Sequence, residues 1–403
     1  MPTVIDLEMP PAGYAISGAR AGEQASIQCM EFTSTEDGQH FIQRLEGLPS
    51  EILGKLTPPI RPSQVESLLA ILDRDGKATV YVNEVGQKVR MRPSRSIKAG
   101  ERVSKNDIVD LDRLELSVDV PAEAGVLYVF SEGWRKGLFY DFGPIAGPDP
   151  KPRDYDLFSL LGQVYCQVLF QERFSITESE WEALFKAKWF PFAALPHGTI
   201  DELISYIRCG WDPDEKLDEV ALEVKGRLPE LLKVWSKHPA LAPHFEILER
   251  AVERFQQDDF LSCTSLLFPR IEGILRTHHA SLGTVEKPTQ TNLSNSAVSE
   301  RLDRTACLLL PHWFAKYLQT VYFADFNPVA QSIDVSRHSV SHGVATTSQF
   351  NKKSSLIGLL VVHQLYYCMD VKRIQNHLAK LPGNSPAIEA PPKIGENRER
   401  DAG

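Results

Sequence analysis

The sequence predicts an α+β protein in which a β-rich N-terminal domain is followed by an all-α region. Up to residue 145, short apolar runs separated by turn residues are typical of strands. After residue 154, apolar residues recur at three- and four-residue steps, as in amphipathic helices. These patterns divide the chain into five parts: a flexible tail (1–12), a β-rich N-terminal domain (13–145), a helical middle region (154–235), a C-terminal helical domain (236–380) and a disordered tail (381–403).

Within the N-terminal domain, the segments 77–82 and 88–92 flank a glycine-containing turn, which predicts a hairpin. Similar apolar runs predict three further strands, at 114–118, 126–130 and 138–142. One helix is predicted at 63–73, because Leu68, Leu69 and Leu72 form an apolar face. The Pro- and Gly-rich segment 143–153 is typical of a linker, and we expect a domain boundary there.

Helices account for the predicted structure after this boundary. Thr177 and Thr199 are each followed three residues later by glutamate, so each pair predicts a capping box at a helix start. The longest periodic segments predict helices at 260–279 and 353–378. Between them, the polar segment 283–296 is rich in Thr, Asn and Ser and predicts a mobile loop.

Composition limits the class of protein. The 42% hydrophobic and 24% charged residues are ordinary for a globular protein, and the net charge of −9 argues against coating of nucleic acid over the whole surface. Residues 231–380 nevertheless carry 16 Lys/Arg against 12 Asp/Glu, so this segment alone suits a polyanion. The six cysteines form no C-x-x-C pair, the N-terminus lacks a signal-peptide pattern, and the apolar run 356–367 is too short for a bilayer. We therefore expect a cytoplasmic protein without a membrane partner.

The segment 337–343, Arg-His-Ser-Val-Ser-His-Gly, carries the most informative chemistry. Arginine supplies a permanent cation shaped for phosphate, and histidine titrates near neutrality. On one regular helix, Arg337 and His342 would lie roughly 140° apart, so they do not share a face. An alternative interpretation is therefore that both residues are structural, with Arg337 as a surface cation and His342 as an imidazole that caps the helix.

His338 and His342 are four residues apart and share a helical face, a spacing that also holds zinc in some proteins. The metalloprotease form requires glutamate directly after the first histidine, where this chain has Ser339. Asp334 stands one turn earlier, but no third ligand lies at a characteristic distance. We predict neither a metal nor a cofactor.

Two segments of this chain resemble HEPN domains, a family of all-α proteins found in bacterial toxins, abortive-infection systems and other anti-phage defence. Arg337, His338 and His342 match the arginine–polar–histidine signature, and Gly343 precedes a long apolar helix, as in one branch of the family. The segment 268–276, Phe-Pro-Arg-Ile-Glu-Gly-Ile-Leu-Arg, resembles a second helix of that branch. Ser336 departs from the pattern, since the branch often has asparagine there. The resemblance implies a HEPN-like helical domain at 236–380.

The resemblance also implies an activity, because many HEPN proteins are metal-independent endoribonucleases that act as homodimers on RNA. By analogy, His342 would be the general acid or base, Arg337 would hold the scissile phosphate, and His338 would orient the phosphate or carry a proton. Glu272 and Arg276 are supporting candidates, although an ion pair between these two residues is an alternative. A non-catalytic HEPN-like protein that binds a partner, a nucleotide or RNA remains the alternative function. From its separate composition alone, we expect the N-terminal domain to sense a trigger or a regulatory partner, or to restrain the nuclease.

Overall fold

The computed structural model describes residues 2–283, 288–302, 304, 306–325 and 335–369. These residues form a mixed α+β structure, as predicted. The chain divides into two compact units: unit 1 comprises Met1–Gly226 and Val298–Tyr322, and unit 2 comprises Arg227–Ala297 and Phe323–Gly403. The structure thus groups most of the predicted middle region with the β-rich domain, and adds residues 298–322 to the same unit.

Unit 1 is built on strands. In chain order they are β1 (Thr3–Asp6), β2 (Tyr14–Ala15), β3 (Ile27–Gln28), β4 (Met30–Ser34), β5 (Ser67–Leu72), β6 (Lys77–Val82), β7 (Gln87–Pro93), β8 (Ile108–Leu116), β9 (Gly125–Glu132) and β10 (Arg135–Asp141). Six of them form an antiparallel sheet in the order β1-β6-β5-β9-β10-β4, while β2 pairs with β3 and β7 pairs with β8.

The helices of the described residues are α1 (Gln39–Glu46), α2 (Leu48–Gly54), α3 (Leu157–Leu169), α4 (Gln171–Phe174), α5 (Glu178–Lys186), α6 (His197–Arg208), α7 (Leu217–Trp235), α8 (Phe245–Gln256), α9 (Phe260–Ser281), α10 (Gln290–Ser296), α11 (Pro311–Tyr317), α12 (Arg337–Ser341) and α13 (Lys352–Cys368). The division between the two units falls within α7. None of the described helices is long and apolar enough to cross a membrane.

Both faces of the six-stranded sheet are buried. On one face, alternate residues of β5, β9 and β10 pack with α1 and α2, as Leu68 and Ala70 do. On the other face, the intervening residues, such as Leu69 and Tyr128, pack against α3 and β8. Gly162 allows α3 to approach β8, because a Cβ atom at this position would lie only 2.7 Å from the Cα of Arg113.

The double burial explains why the predicted helix at 63–73 is wrong. Residues 67–72 form the central strand β5, which is buried on both sides and therefore reads as a continuous apolar run instead of an alternating one. Such a run does not distinguish a strand from a short helix. The predicted hairpin is also wrong: both of its strands exist, but β6 pairs with β1 and β5, and β7 pairs with β8.

Two expected flexible segments are ordered. Residues 3–6 of the predicted tail form β1, which pairs with β6 through four residue partners. The predicted linker 143–153 is fixed by Arg153, whose Nε lies 2.9 Å from Oδ2 of Asp141, with both side chains buried. Arg153 also donates to the carbonyl oxygen of Ala124 at 2.9 Å. Helix α3 consequently completes the core of unit 1 instead of starting a new domain.

Unit 2 is helical in its described residues, and α8 and α13 both pack on α9. Gly358 of α13 faces Leu267 of α9 closely enough that an added Cβ would meet its Cδ1 at 2.9 Å. The predicted loop 283–296 instead contains α10, while residues 284–287 lie outside the described residues. The predicted helix 353–378 is confirmed as far as Cys368, and its remainder, with the predicted tail 381–403, also lies outside the description.

Candidate functional site

The centre of the site is a carboxylate on α9. Glu272 is largely buried, with 8% of its side chain exposed. One turn later, Arg276 donates from Nε to Oε1 of Glu272 at 2.7 Å, and its Nη2 lies 2.6 Å from the same oxygen. The ion pair considered from the sequence is therefore present. Charge-assisted contacts of this kind hold a long arginine side chain in one direction.

A second arginine contacts the same carboxylate. Arg337 is the first residue of α12, and its Nε forms an ion pair with Oε2, the other oxygen of Glu272. Its side chain is one-quarter exposed. Because two guanidinium groups meet one carboxylate, this cluster has a net charge of +1.

Local hydrogen bonds explain why α12 begins at Arg337. Ser336 is 1% exposed, and its Oγ accepts from the backbone N–H of Ser339 at 3.3 Å. In return, Ser339 Oγ accepts from the backbone N–H of Ser336 at 2.9 Å, which completes a capping box. Serine at 336 thus performs the N-cap role that asparagine also performs well. The departure from the family pattern leaves this helix start intact.

The two histidines lie on α12 and at its C-terminal end: His338 is the second residue of the helix, directly after Arg337. His342 is its C-cap residue, and Gly343 follows with φ +67°, a left-handed conformation that favours glycine. The rings of His338 and His342 are nearly parallel, with an interplanar angle of 6° and centroids 6.0 Å apart. His342 is exposed and His338 is partly buried.

His338 is held and tuned by its neighbours. Its Nε2 contacts the side-chain amide of Gln290, the first residue of α10. Partial burial lowers the pKa of His338, and the nearby charges of Arg337 and His342 lower it further. A neutral imidazole is consequently favoured at pH 7, which is the form that accepts a proton.

A cavity of about 400 Å³ lies beside the arginine pair. Polar and charged side chains dominate its wall, which consists of Glu272, Arg276, Pro288, Thr289, Gln290, Thr291, Leu293, Phe323 and Arg337. Its volume is within the range of small-ligand sites and accommodates a nucleotide-sized group. The cavity wall is therefore hydrogen-bonding and cationic, with one apolar side at Phe323 and Leu293.

The structure places the predicted site residues in two groups. Arg337, Glu272 and Arg276 meet around one carboxylate and line the cavity. His338 and His342 form the second group, connected to the cavity through Gln290. His342 follows the last residue of α12, but its backbone N–H still donates to the carbonyl oxygen of His338 at 3.0 Å, so the separation of roughly 140° from Arg337 still applies within one chain.

The histidine pair has the geometry of stacked rings, whereas two ligands of one metal ion direct their nitrogens at a common point. Within the described parts of the chain, no group of three or more His, Cys, Asp or Glu side chains is arranged to hold a metal ion. Asp334, the third candidate ligand, lies outside the described residues.

Sequence reasoning missed the residues that α10 contributes to the cavity. Gln290 and Thr289 lie in a polar segment whose Thr, Asn and Ser content predicts a loop. The available signal was Thr289 itself, whose Oγ1 accepts from the backbone N–H of Asn292 at 3.2 Å as an N-cap. Phe323 had no sequence signal that related it to this site.

The chain matches no protein-family model, no curated protein and no solved structure.

Proposed function

We propose that unit 2 is a HEPN-like domain and that the protein is a metal-independent endoribonuclease-type effector, as in bacterial toxin or anti-phage defence systems. The observation that carries this proposal is the cationic cavity, where Arg337 and Arg276 share one carboxylate and α12 also carries a stacked histidine pair. RNA supplies its own nucleophile, the 2′-OH, so cleavage requires charge stabilisation and proton transfer from the protein.

Arg337 is the residue that we propose to contact the scissile phosphate. Its guanidinium forms an ion pair with Glu272 although Nε makes no hydrogen bond, and among the described residues its terminal Nη groups have no other partner. A phosphodiester carries one negative charge, which matches the net charge of +1 of the Arg276–Glu272–Arg337 cluster. In the transition state, the charge on the phosphoryl oxygens grows, and a guanidinium fixed by a buried carboxylate stabilises it without reorganising.

The histidines would carry the protons. His338, whose lowered pKa favours the neutral form, exchanges the Gln290 amide for the 2′-OH at Nε2 and takes its proton there as the O2′–P bond forms. His342, when protonated, donates to the 5′ oxygen as the P–O5′ bond breaks. The products are a 2′,3′-cyclic phosphate and a 5′-hydroxyl, and the histidines exchange protonation states. In line with the family resemblance, two copies of the chain would form a homodimer with both motifs at one RNA cleft.

A second function is favoured by one feature of the same cluster. Glu272 holds both arginines, and an acid so placed lowers the local positive charge that an anionic transition state requires. This arrangement suits a non-catalytic HEPN-like protein that binds RNA or a nucleotide. The two functions differ in whether the histidines are required for more than binding.

Arg337→Ala and His342→Ala separate the two functions when RNA binding and RNA cleavage are measured together. For binding, the probe is an RNA with 2′-O-methyl groups, which lacks the nucleophile. We expect Arg337→Ala to weaken binding by about tenfold, because charge-assisted contacts to phosphate are lost. We expect His342→Ala to bind normally and to lose about 10²–10⁴ in cleavage rate.

Arg250→Ala is the matched control, because Arg250 is an exposed arginine of α8 that pairs with Glu253 at 2.8 Å. It should change neither binding nor cleavage by more than about twofold. RNA binding by the wild type, without RNA cleavage by the wild type or by any variant, would support the second function. Binding that Arg337→Ala leaves unchanged would contradict both functions at this site.

A further inference from the structure

Unit 1 contains a buried arginine that forms no ion pair with a carboxylate among the described residues. Arg173 in α4 is 4% exposed. Its Nη2 lies 2.6 Å from Nδ1 of His197, and its Nε has no hydrogen-bond partner among the described residues. Burial lowers the pKa of Arg173 to about 10, so the guanidinium is still charged at pH 7. A buried cation in this state is costly unless an anion accompanies it.

His197 does not supply the missing charge. Its Nε2 lies 2.7 Å from the carbonyl oxygen of Ile108, which only accepts, so Nε2 carries the proton. Nδ1 is therefore the unprotonated nitrogen that accepts from Arg173. Burial and the nearby charge of Arg173 lower the pKa of His197 to about 3, which keeps the ring neutral.

The buried carboxylate nearby is already paired with other cations. Asp110 is 0% exposed, and its Oδ2 lies 2.8 Å from Nη1 of Arg304 and 3.7 Å from Arg301. Its Oδ1 accepts from the backbone N–H of Leu308 at 3.1 Å. Within the described parts of the chain, no carboxylate forms an ion pair with Arg173; the exposed Asp201 and the buried Asp110 act on its charge only over a longer distance.

A cavity of about 160 Å³ adjoins this arginine. Its lining combines two guanidinium groups with aromatic and apolar side chains, namely Arg173, Phe174, Ile176, Trp181, Arg304, Cys307, Leu310, Pro311, His312 and Trp313. His312 is exposed and Trp313 is only partly buried, so the cavity reaches solvent on that side. The volume equals about five water molecules, which accommodates a phosphate or a small carboxylate.

We propose that this cavity binds a small oxyanion and that Arg173 is its anchoring cation. The anion would neutralise Arg173 in the way that Asp110 neutralises Arg304. The planar guanidinium of Arg173 suits two oxygens of one ligand. The apolar wall excludes water and strengthens the ion pair. This site belongs to unit 1, so it does not depend on the proposed function of unit 2.

The test is titration calorimetry of the full chain with inorganic phosphate, sulfate and acetate at constant ionic strength. We expect saturable binding of at least one of these anions to the wild type. Arg173→Met should lose the Arg173-dependent binding by at least about tenfold, whereas Arg173→Lys, which keeps the charge but not the planar fork, should lose less. Phosphate bound at the cavity of unit 2 would persist in both variants and is distinguished in this way.

Arg90→Met is the control, since Arg90 of β7 is an exposed arginine of the same unit and pairs with Glu115. Tryptophan fluorescence provides a second reading, because Trp181 and Trp313 line the cavity. A tetrahedral anion that binds where acetate does not identifies phosphate as the ligand class, and the reverse identifies a carboxylate. Absence of saturable binding to the wild type, or equal binding by wild type and Arg173→Met, would overturn the proposal.

Discussion

Acid should destabilise unit 2 through two buried histidines. His363 of α13 and His238 are 1% and 2% exposed. His363 Nδ1 accepts from Nε1 of Trp235 at 3.1 Å, and its ring is parallel to that of Tyr366. Burial lowers the pKa of His363 to about 3 and that of His238 to about 4. Both rings are therefore neutral in the folded protein, while the unfolded chain binds protons near the ordinary value of about 6.5.

The sign and size of the effect follow from proton linkage. Because both folded pKa values are depressed, stability is complete above about pH 6.5 and falls as the pH drops below it. Between pH 7.5 and pH 5.0, each histidine lowers the free energy of unfolding by about 2 kcal/mol, since the unfolded pKa lies about 1.5 units above the final pH. His363 and His238 together should cost about 4 kcal/mol, a large part of the stability of a typical domain.

Urea unfolding at the two pH values measures this loss, and the fluorescence of Trp235 reports unit 2, because the other five tryptophans belong to unit 1. His363→Gln retains an acceptor for Trp235 and should remove about half of the pH-dependent loss. His40→Gln is the control, since His40 is an exposed histidine beside Glu31 in unit 1. A loss in His363→Gln as large as in His40→Gln would refute the reasoning.

Three further predictions concern packing and the site. Gly162→Ala should destabilise unit 1 by about 1–3 kcal/mol, because the new Cβ meets strand backbone at 2.7 Å. Gly226→Ala, where the added Cβ enters open space on α7, should stabilise the protein by about 0.5–1 kcal/mol. Thermal unfolding measures both variants, and a Gly162→Ala variant more stable than Gly226→Ala would contradict the packing of α3 on β8. Glu272→Gln should steepen the salt dependence of RNA binding and slow cleavage, because the cluster gains positive charge while Arg337 loses its anchor; an unchanged salt slope would contradict this. The acid limb of the pH profile of kcat/KM should lie below pH 6.5, since burial lowers the pKa of His338, and a limb above 6.5 would exclude His338 as the base.

Local patterns predicted five of the ten described strands of unit 1, β6 to β10. The strand predicted at 77–82 coincides with β6, and the strands predicted at 126–130 and 138–142 lie largely within β9 and β10. The capping box at Thr177 is present, with Thr177 Oγ1 accepting from the N–H of Glu180 at 3.3 Å. The capping box predicted at Thr199 is wrong, because α6 begins two residues earlier, at His197, and Thr199 Oγ1 instead donates to Oε2 of Glu223 at 3.1 Å.

Features that depend on tertiary context were not predictable. The double burial of β5 removed the alternation of apolar and polar residues that identifies a strand. The segment 143–153 has the Pro- and Gly-rich composition of a linker, and composition does not reveal the Arg153–Asp141 ion pair that holds it in place. The pairing partners of β6 and β7 also follow from the whole sheet, since a short turn between two strands does not decide that they pair.

In the candidate site too, contacts within one helix were predictable and contacts between helices were not. The Glu272–Arg276 pair follows from i,i+4 spacing on one helix. The ion pair of Glu272 with Arg337 joins residues 65 positions apart, and only the packing of α12 on α9 brings them together. The contribution of Gln290 was hidden in a polar segment whose helix α10 is short.

The most direct test of the central claim is cleavage of total RNA and tRNA by purified protein in EDTA, beside the His342→Ala variant. The account predicts cleavage by the wild type with 2′,3′-cyclic phosphate ends, and a loss of about 10²–10⁴ in rate for the variant. Equal cleavage by both proteins would contradict the assigned role of His342. Intact RNA with both proteins, despite binding that depends on Arg337, would contradict the ribonuclease activity and leave RNA binding as the function of this site.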